Sequence, residues 1–204
     1  MTFRPAVLEG IARDLWESIG SPLPVDAFRL AEALGFEVQP WPKSFGARVG
    51  TTIRYPMKVR LVRQHRIVAH EVSHWGCEQA GLDPQCEESA DRLASSLMLP
   101  RSPFVRDMDS TDYDLFELAR RHPNCSHELI IVRMTQVSPA TASVWDAGKL
   151  HRCYGAELVD DYYAEAALVD RVLETEAPLA DGALRAWPVF DGRWRRVIVV
   201  RLAA

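Results

Sequence analysis

The 204-residue chain has no internal repeat and no low-complexity segment, and none of its four cysteines forms a CxxC pair. Cys77, Cys86, Cys125 and Cys153 are scattered, which fits a reduced compartment better than a disulfide framework. No run approaches the roughly 18 apolar residues that a bilayer span requires, so no membrane partner is expected. The start, MTFRPAVLEGIARDLWESIG, carries Glu9, Arg13, Asp14 and Glu17 where a secretory leader needs an unbroken apolar stretch, and it reads as a mature cytoplasmic protein. Glycine is sparse, at 11 residues, which excludes a collagen-like repeat. A basic excess is also lacking: 24 Lys and Arg against 28 Asp and Glu leave a net charge of −4, so direct nucleic-acid binding is not expected. What is present, 48% hydrophobic and 25% charged residues, is the composition of a folded globular chain, long enough to bury a core without staples.

The patterning predicts an α+β protein. Val7, Leu8, Ile11, Leu15, Trp16 and Ile19 recur at helical spacing up to Gly20, and a second helix runs from about Val25 to Gly35. FEVQPW reads as a short strand, and residues 45–63, including TTIRY and KVRLV, as extended segments. Helices are expected over 66–80, from Asp83-Pro84 to Pro100, over 111–121 and over 126–136. Beyond about 138 the texture becomes hairpin, helix, hairpin: TASVW and KLHRCYG around Asp146-Ala147-Gly148, a helix over 160–176, then ALRAWPVF and RWRRVIVVRL around Asp191-Gly192. The expected division is 1–137 for the main domain and 138–204 for a C-terminal appendage.

The chemistry concentrates in RIVAHEVSHWG. His70 and His74 are four apart, so on a helix they lie on one face and two imidazole nitrogens can meet one Zn²⁺. Glu71 is then placed to take a proton from a water that the metal activates, without itself being a ligand. A catalytic zinc site needs a third protein ligand and one open position. CEESADRLASSLMLP offers it: Glu87, Ala90, Ala94 and Leu97 or Met98 share one helix face, so Glu87 extends an apolar stripe that should face the core. Asp91, one turn on, can hold the free ring nitrogen of a zinc-bound histidine.

HEVSH followed by ESADRLASSLMLP resembles the ImmA/IrrE metallopeptidases, whose signature is HExxH and then E-x-x-A-[ND]-x-F-A-x-x-L-[ML]-x-P. The matching positions are Glu87, Ala90, Asp91, Ala94, Leu97, Met98 and Pro100, and the likeness extends over roughly residues 20–137. Leu93 stands where the family usually has phenylalanine, Ser73-His74-Trp75 replaces the usual Gly-His-aliphatic, and the tail has no counterpart. The resemblance implies a zincin-like metallopeptidase core with a small antiparallel sheet. It implies His70, His74 and Glu87 as zinc ligands and Glu71 as catalytic base. The substrate class it implies is a DNA-binding transcriptional repressor, cleaved in stress responses or mobile-element regulation.

Other roles stay open at this level. An oxyanion donor could come from Tyr55, His65, His127 or Tyr154. TTIRYPMKVRLV could offer a strand edge to a peptide, although a plain sheet strand is the simpler reading. Trp75 could shield the metal. The alternative to an enzyme is a non-catalytic, zinc-stabilised regulatory or DNA- or protein-binding module. In one form, Cys77 and Cys86 close a structural site with the histidines. In another, LFELARR and SHELIIVRMTQ form a helix–turn–helix, although LIIV makes the second helix too apolar to read a groove. The arginine runs 60, 63, 66 and 193, 195, 196 read as solvated strand faces.

Overall fold

A computed structural model describes residues 5–155, 162–191 and 194–203 and shows an α+β chain of two compact units, Met1–Ser126 and His127–Ala204. The division falls eleven residues before the expected boundary near 137, because the helix over His127–Val137 belongs with the following sheet, not with the helices before it.

In the first unit, α1 (Pro5–Ser18) buries Leu8 and Ala12. The next helix, α2 (Ala27–Ala33), is capped by Asp26, whose carboxylate accepts the N–H groups of Phe28 and Arg29. Three short strands follow: β1 (Glu37–Trp41), β2 (Ala47–Val49) and β3 (Thr52–Pro56), in the order β1-β3-β2. The sheet is mixed, not antiparallel as expected, since β1 runs parallel to β3 and only β2 is antiparallel to it. TTIRYP is thus the central strand and offers no edge, whereas the three-residue β2 is an edge.

KVRLV is not extended: α3 (Leu61–Gln79) begins five residues earlier than predicted. The Gln64 side chain donates to the carbonyls of Pro56, Met57 and Val59 and so folds the preceding turn onto the first helical turn. Arg63 and Arg66 consequently stand on a helix. Against α3 packs α4 (Glu87–Met98), which buries Ala90, Leu93, Ala94, Leu97 and Met98 as its stripe predicts. Gly76 permits the close approach: a Cβ there would lie 3.2 Å from Leu93 and 3.3 Å from Leu15. After Pro100 comes α5 (Arg101–Ser110), which the sequence reading does not foresee; Pro103 sits in its first turn, where a missing N–H costs nothing. The following helix, α6 (Leu115–Arg121), starts later than expected, after positive φ angles at Asp112 and Tyr113.

The second unit carries α7 (His127–Val137), β4 (Thr141–Asp146), β5 (Lys149–Tyr154), α8 (Tyr162–Thr175), β6 (Leu179–Asp181), β7 (Leu184–Asp191) and β8 (Trp194–Arg201). Its strands form one antiparallel sheet, β5-β4-β8-β7-β6. Both expected hairpins are present. Ala147 and Gly148 both have positive φ, as a two-residue hairpin turn requires. Asp191 pairs with Trp194, while Gly192 and Arg193 lie outside the described residues. Trp145, Val197 and Val199 meet Leu168, Val169 and Val172 in one core cluster. In α7, Leu129, Ile130, Ile131 and Met134 are buried, the packing expected of a core helix.

Candidate metal centre

The packing of α4 on α3 brings His70, His74 and Glu87 together, with one donor atom of each within 4.8 Å of the others. The two Nε2 atoms are 2.9 Å apart. Glu87 places Oε2 3.1 Å from His70 Nε2 and Oε1 3.6 Å from His74 Nε2. Each ring is oriented from its far side. His70 Nδ1 lies 3.0 Å from Asp91 Oδ1, and His74 Nδ1 lies 2.7 Å from the Pro84 carbonyl. A carboxylate and a carbonyl can only accept, so both Nδ1 atoms carry the proton as donors. Both Nε2 atoms are then left with lone pairs aimed at one point. Two lone pairs cannot bond each other, and the facing Glu87 carboxylate adds negative charge, so the point calls for a positive charge.

Asp91 is held in turn by Arg66, 3.5 Å away. The His70 hydrogen bond, helped by Arg66 and opposed by burial, keeps the Asp91 carboxyl below its ordinary pKa. At His70, burial opposes protonation, but the Asp91 bond and the charges of Asp91, Glu71 and Glu87 outweigh it and raise the pKa. Glu71 shifts the other way for a carboxyl: burial raises its pKa, against His70, His74 and the backbone N–H of Arg48, which its carboxylate accepts. A raised carboxyl is the better proton acceptor near neutral pH.

Two features of this arrangement escape the sequence reading. Asp83-Pro84 does not open α4 as a cap and first residue. Asp83 instead accepts the Gln85 N–H, and the Pro84 carbonyl is freed for His74. The edge strand β2 also reaches the site. A Cβ at Gly46 would collide with Ile67 Cγ2 and stand 3.1 Å from Glu71 Oε1, so only glycine allows the strand this close to the glutamate. Glu87 departs from expectation as well: its side chain is 73% exposed, off the buried stripe, at the mouth of an open cleft of about 360 Å³. Gly46, Arg66, Ile67, His70, Glu71, His74, Glu87 and Asp91 line that cleft.

The remaining candidates lie elsewhere. His65 is buried, accepts the Ala27 N–H and stacks on Phe28, as does Tyr55, and neither lines the cleft. His127 and Tyr154 belong to the second unit, where the Tyr154 hydroxyl donates to Glu128. Trp75 stacks edge-on against Phe36 and does not line the cleft. Cys77 is buried and Cys86 half-buried, and among the described residues neither joins the His–His–Glu group. Arg195 and Arg196 are engaged with Glu176 and with Asp146 and Glu128, while Arg193 lies outside the described residues.

Two imidazoles with fixed tautomers, one carboxylate and an open side are a donor set that suits a catalytic zinc ion. No protein-family model matches the chain, and no curated protein does. Its fold is similar to that of a Mycobacterium tuberculosis transcriptional regulator, with a TM-score of 0.69 at 15% identity over 96% of this chain and 74% of that one, a likeness that shows the fold alone.

Proposed function

We propose that the protein is a zinc-dependent endopeptidase of the ImmA/IrrE type with a zincin-like core, working in the cytoplasm on a DNA-binding transcriptional repressor. The observation that carries this reading is the convergence of two imidazole lone pairs and the Glu87 carboxylate beside Glu71. His70, His74 and Glu87 would hold the ion. When bound there, zinc would polarise the scissile carbonyl and acidify a water.

The chain's own groups supply the rest. Glu71 accepts the proton of the attacking water and later delivers it to the departing amine nitrogen. Asp91 and the Pro84 carbonyl keep both histidines in the tautomer that leaves Nε2 free. The open cleft gives a polypeptide access. A purely structural metal would leave Glu71 without a task. The substrate class rests on the resemblance of HEVSH and ESADRLASSLMLP alone.

The test is incubation of the zinc-loaded protein with a panel of purified DNA-binding repressors from the same organism, read by mass spectrometry. One repressor cut at a single bond, with no cut by Glu71→Gln protein or after chelation, is expected. Intact repressors throughout, with zinc demonstrably bound, would contradict the reading.

A further inference from the structure

The segment from the end of β1 to the start of β2 reaches the cleft at Gly46 and carries an exposed aromatic side chain one residue before it. Phe45 is 54% exposed. It is not loosely exposed. Its ring stands edge-on to Trp41 with the centroids 5.1 Å apart, and the Trp41 indole N–H donates to the Phe45 carbonyl at 2.6 Å. The Lys43 ammonium sits 5.0 Å from the Trp41 ring and 5.4 Å from the Phe45 ring, and Arg54 closes over Trp41 at 5.8 Å. The next residue, Gly46, is the one pressed against Ile67 and Glu71. One residue of chain, about 3.5 Å of extended backbone, therefore separates the Phe45 position from the one beside the catalytic carboxylate. Ile67, against which Gly46 is pressed, supplies apolar lining to the cleft.

An exposed phenylalanine braced by an indole, a hydrogen bond to its carbonyl and one ammonium keeps apolar surface facing water with little freedom to fold away. Recognition at this place falls on side chains, because what the segment exposes is a ring. We infer that Phe45, braced by Trp41, is a specificity-determining residue that receives a bulky apolar side chain of a polypeptide lying within two residues of the scissile bond. The occupant is an extended polypeptide, because the platform sits one residue from the group that activates water; this rests on the peptidase reading above.

The probe is a set of twelve-residue peptides of one Gly/Ser/Ala host sequence with Leu, Phe, Asp or Lys at the centre. They are titrated into zinc-loaded Glu71→Gln protein while tryptophan emission is followed. The Leu and Phe peptides are expected to bind about tenfold more tightly than the Asp and Lys peptides. Their emission change should vanish in Trp41→Phe. Phe45→Ser should bring the four peptides within about twofold of one another with zinc content unchanged, and Phe45→Leu should restore most of the preference. An unchanged preference in Phe45→Ser, or equal binding of all four peptides to the parent, overturns the inference. Cleavage by protein with an intact Glu71 is scored separately. Phe45-dependent binding without any cleavage would remove the peptidase reading and leave the rim; cleavage indifferent to the central residue and to Phe45→Ser would do the reverse.

Discussion

Glu87 in the first unit and Glu165 in the second are both helical glutamates beside polar neighbours, and they are treated in opposite ways. Glu165 is 2% exposed. The Ser143 hydroxyl donates to it at 2.6 Å, Ser143 itself accepts the Trp145 indole N–H at 2.8 Å, and Arg201 stands 3.7 Å away. A hydroxyl donates to the buried acid, and a guanidinium stands near it as counter-charge. Glu87 lies largely in solvent and faces the Nε2 atoms of His70 and His74, which present lone pairs when the imidazoles are neutral. The difference shows what separates a folding acid from a ligating one. Burial with matched donors holds a sheet and a helix together, whereas convergence of acceptors on one point leaves a valence that the chain does not fill.

The sharpest way to break the comparison lies beside Glu87. Glu71→Gln keeps the shape and the two histidines but cannot take a proton. Turnover of a cleaved substrate should fall by roughly 10²- to 10⁴-fold, with zinc content by metal analysis unchanged. Next in size is Asp91→Asn, which weakens the fixing of His70 Nδ1. Zinc affinity by competition with a chelator should drop by roughly 10- to 100-fold, with a much smaller effect on folding. For the buried acid the effects should exchange places. Glu165→Ala leaves the Ser143 hydroxyl without its acceptor and should lower stability in denaturant titration by about 1–3 kcal/mol, with zinc affinity unchanged. Glu87→Ala in metal-free protein should change stability by less than about 0.5 kcal/mol, as an exposed substitution does.

The smallest expected effect concerns protons. Burial holds His65, His122 and His127 below the ordinary histidine pKa of 6.5, while His70 is raised. For the three lowered groups the unfolded chain binds more protons between the folded value and 6.5, so their stabilisation is complete above 6.5 and is lost as pH falls through that window. His70 acts in the opposite direction, present below 6.5 and lost as pH rises through its higher folded value. Metal-free protein should therefore lose net stability on acidification below 6.5, and His122→Gln should flatten that slope. The His70 contribution shows instead above 6.5, as a gain in stability when the pH falls towards 6.5.

Much of the site is legible because it is local. His70, Glu71 and His74 occupy one helix, and Glu87 and Asp91 another, so periodicity alone sets which of them share a face. The stripe Ala90, Leu93, Ala94, Leu97 and Met98 is read correctly for the same reason. What escapes is tertiary. The Pro84 carbonyl that orients His74 belongs to a turn whose proline reads as a helix start. Gly46 and the Arg48 N–H reach Glu71 only because the strand order is β1-β3-β2, an order that no pattern within one strand announces. The exposure of Glu87 is set by where α4 begins, and helix starts are the least determined part of a periodicity. In the second unit, hairpins and core alternation are local and therefore legible, whereas the closing of Glu165 on Ser143 joins a helix to a strand 22 residues apart.

The central claim is that His70, His74 and Glu87 hold one zinc ion. Its most direct test is zinc stoichiometry and affinity of the purified chain, measured beside His70→Ala, Glu87→Ala, Cys77→Ser and Cys86→Ser. One zinc per chain, lost in the first two variants and kept in both cysteine variants, is the predicted result. Zinc retained at full affinity in Glu87→Ala and lost from either cysteine variant would contradict the account.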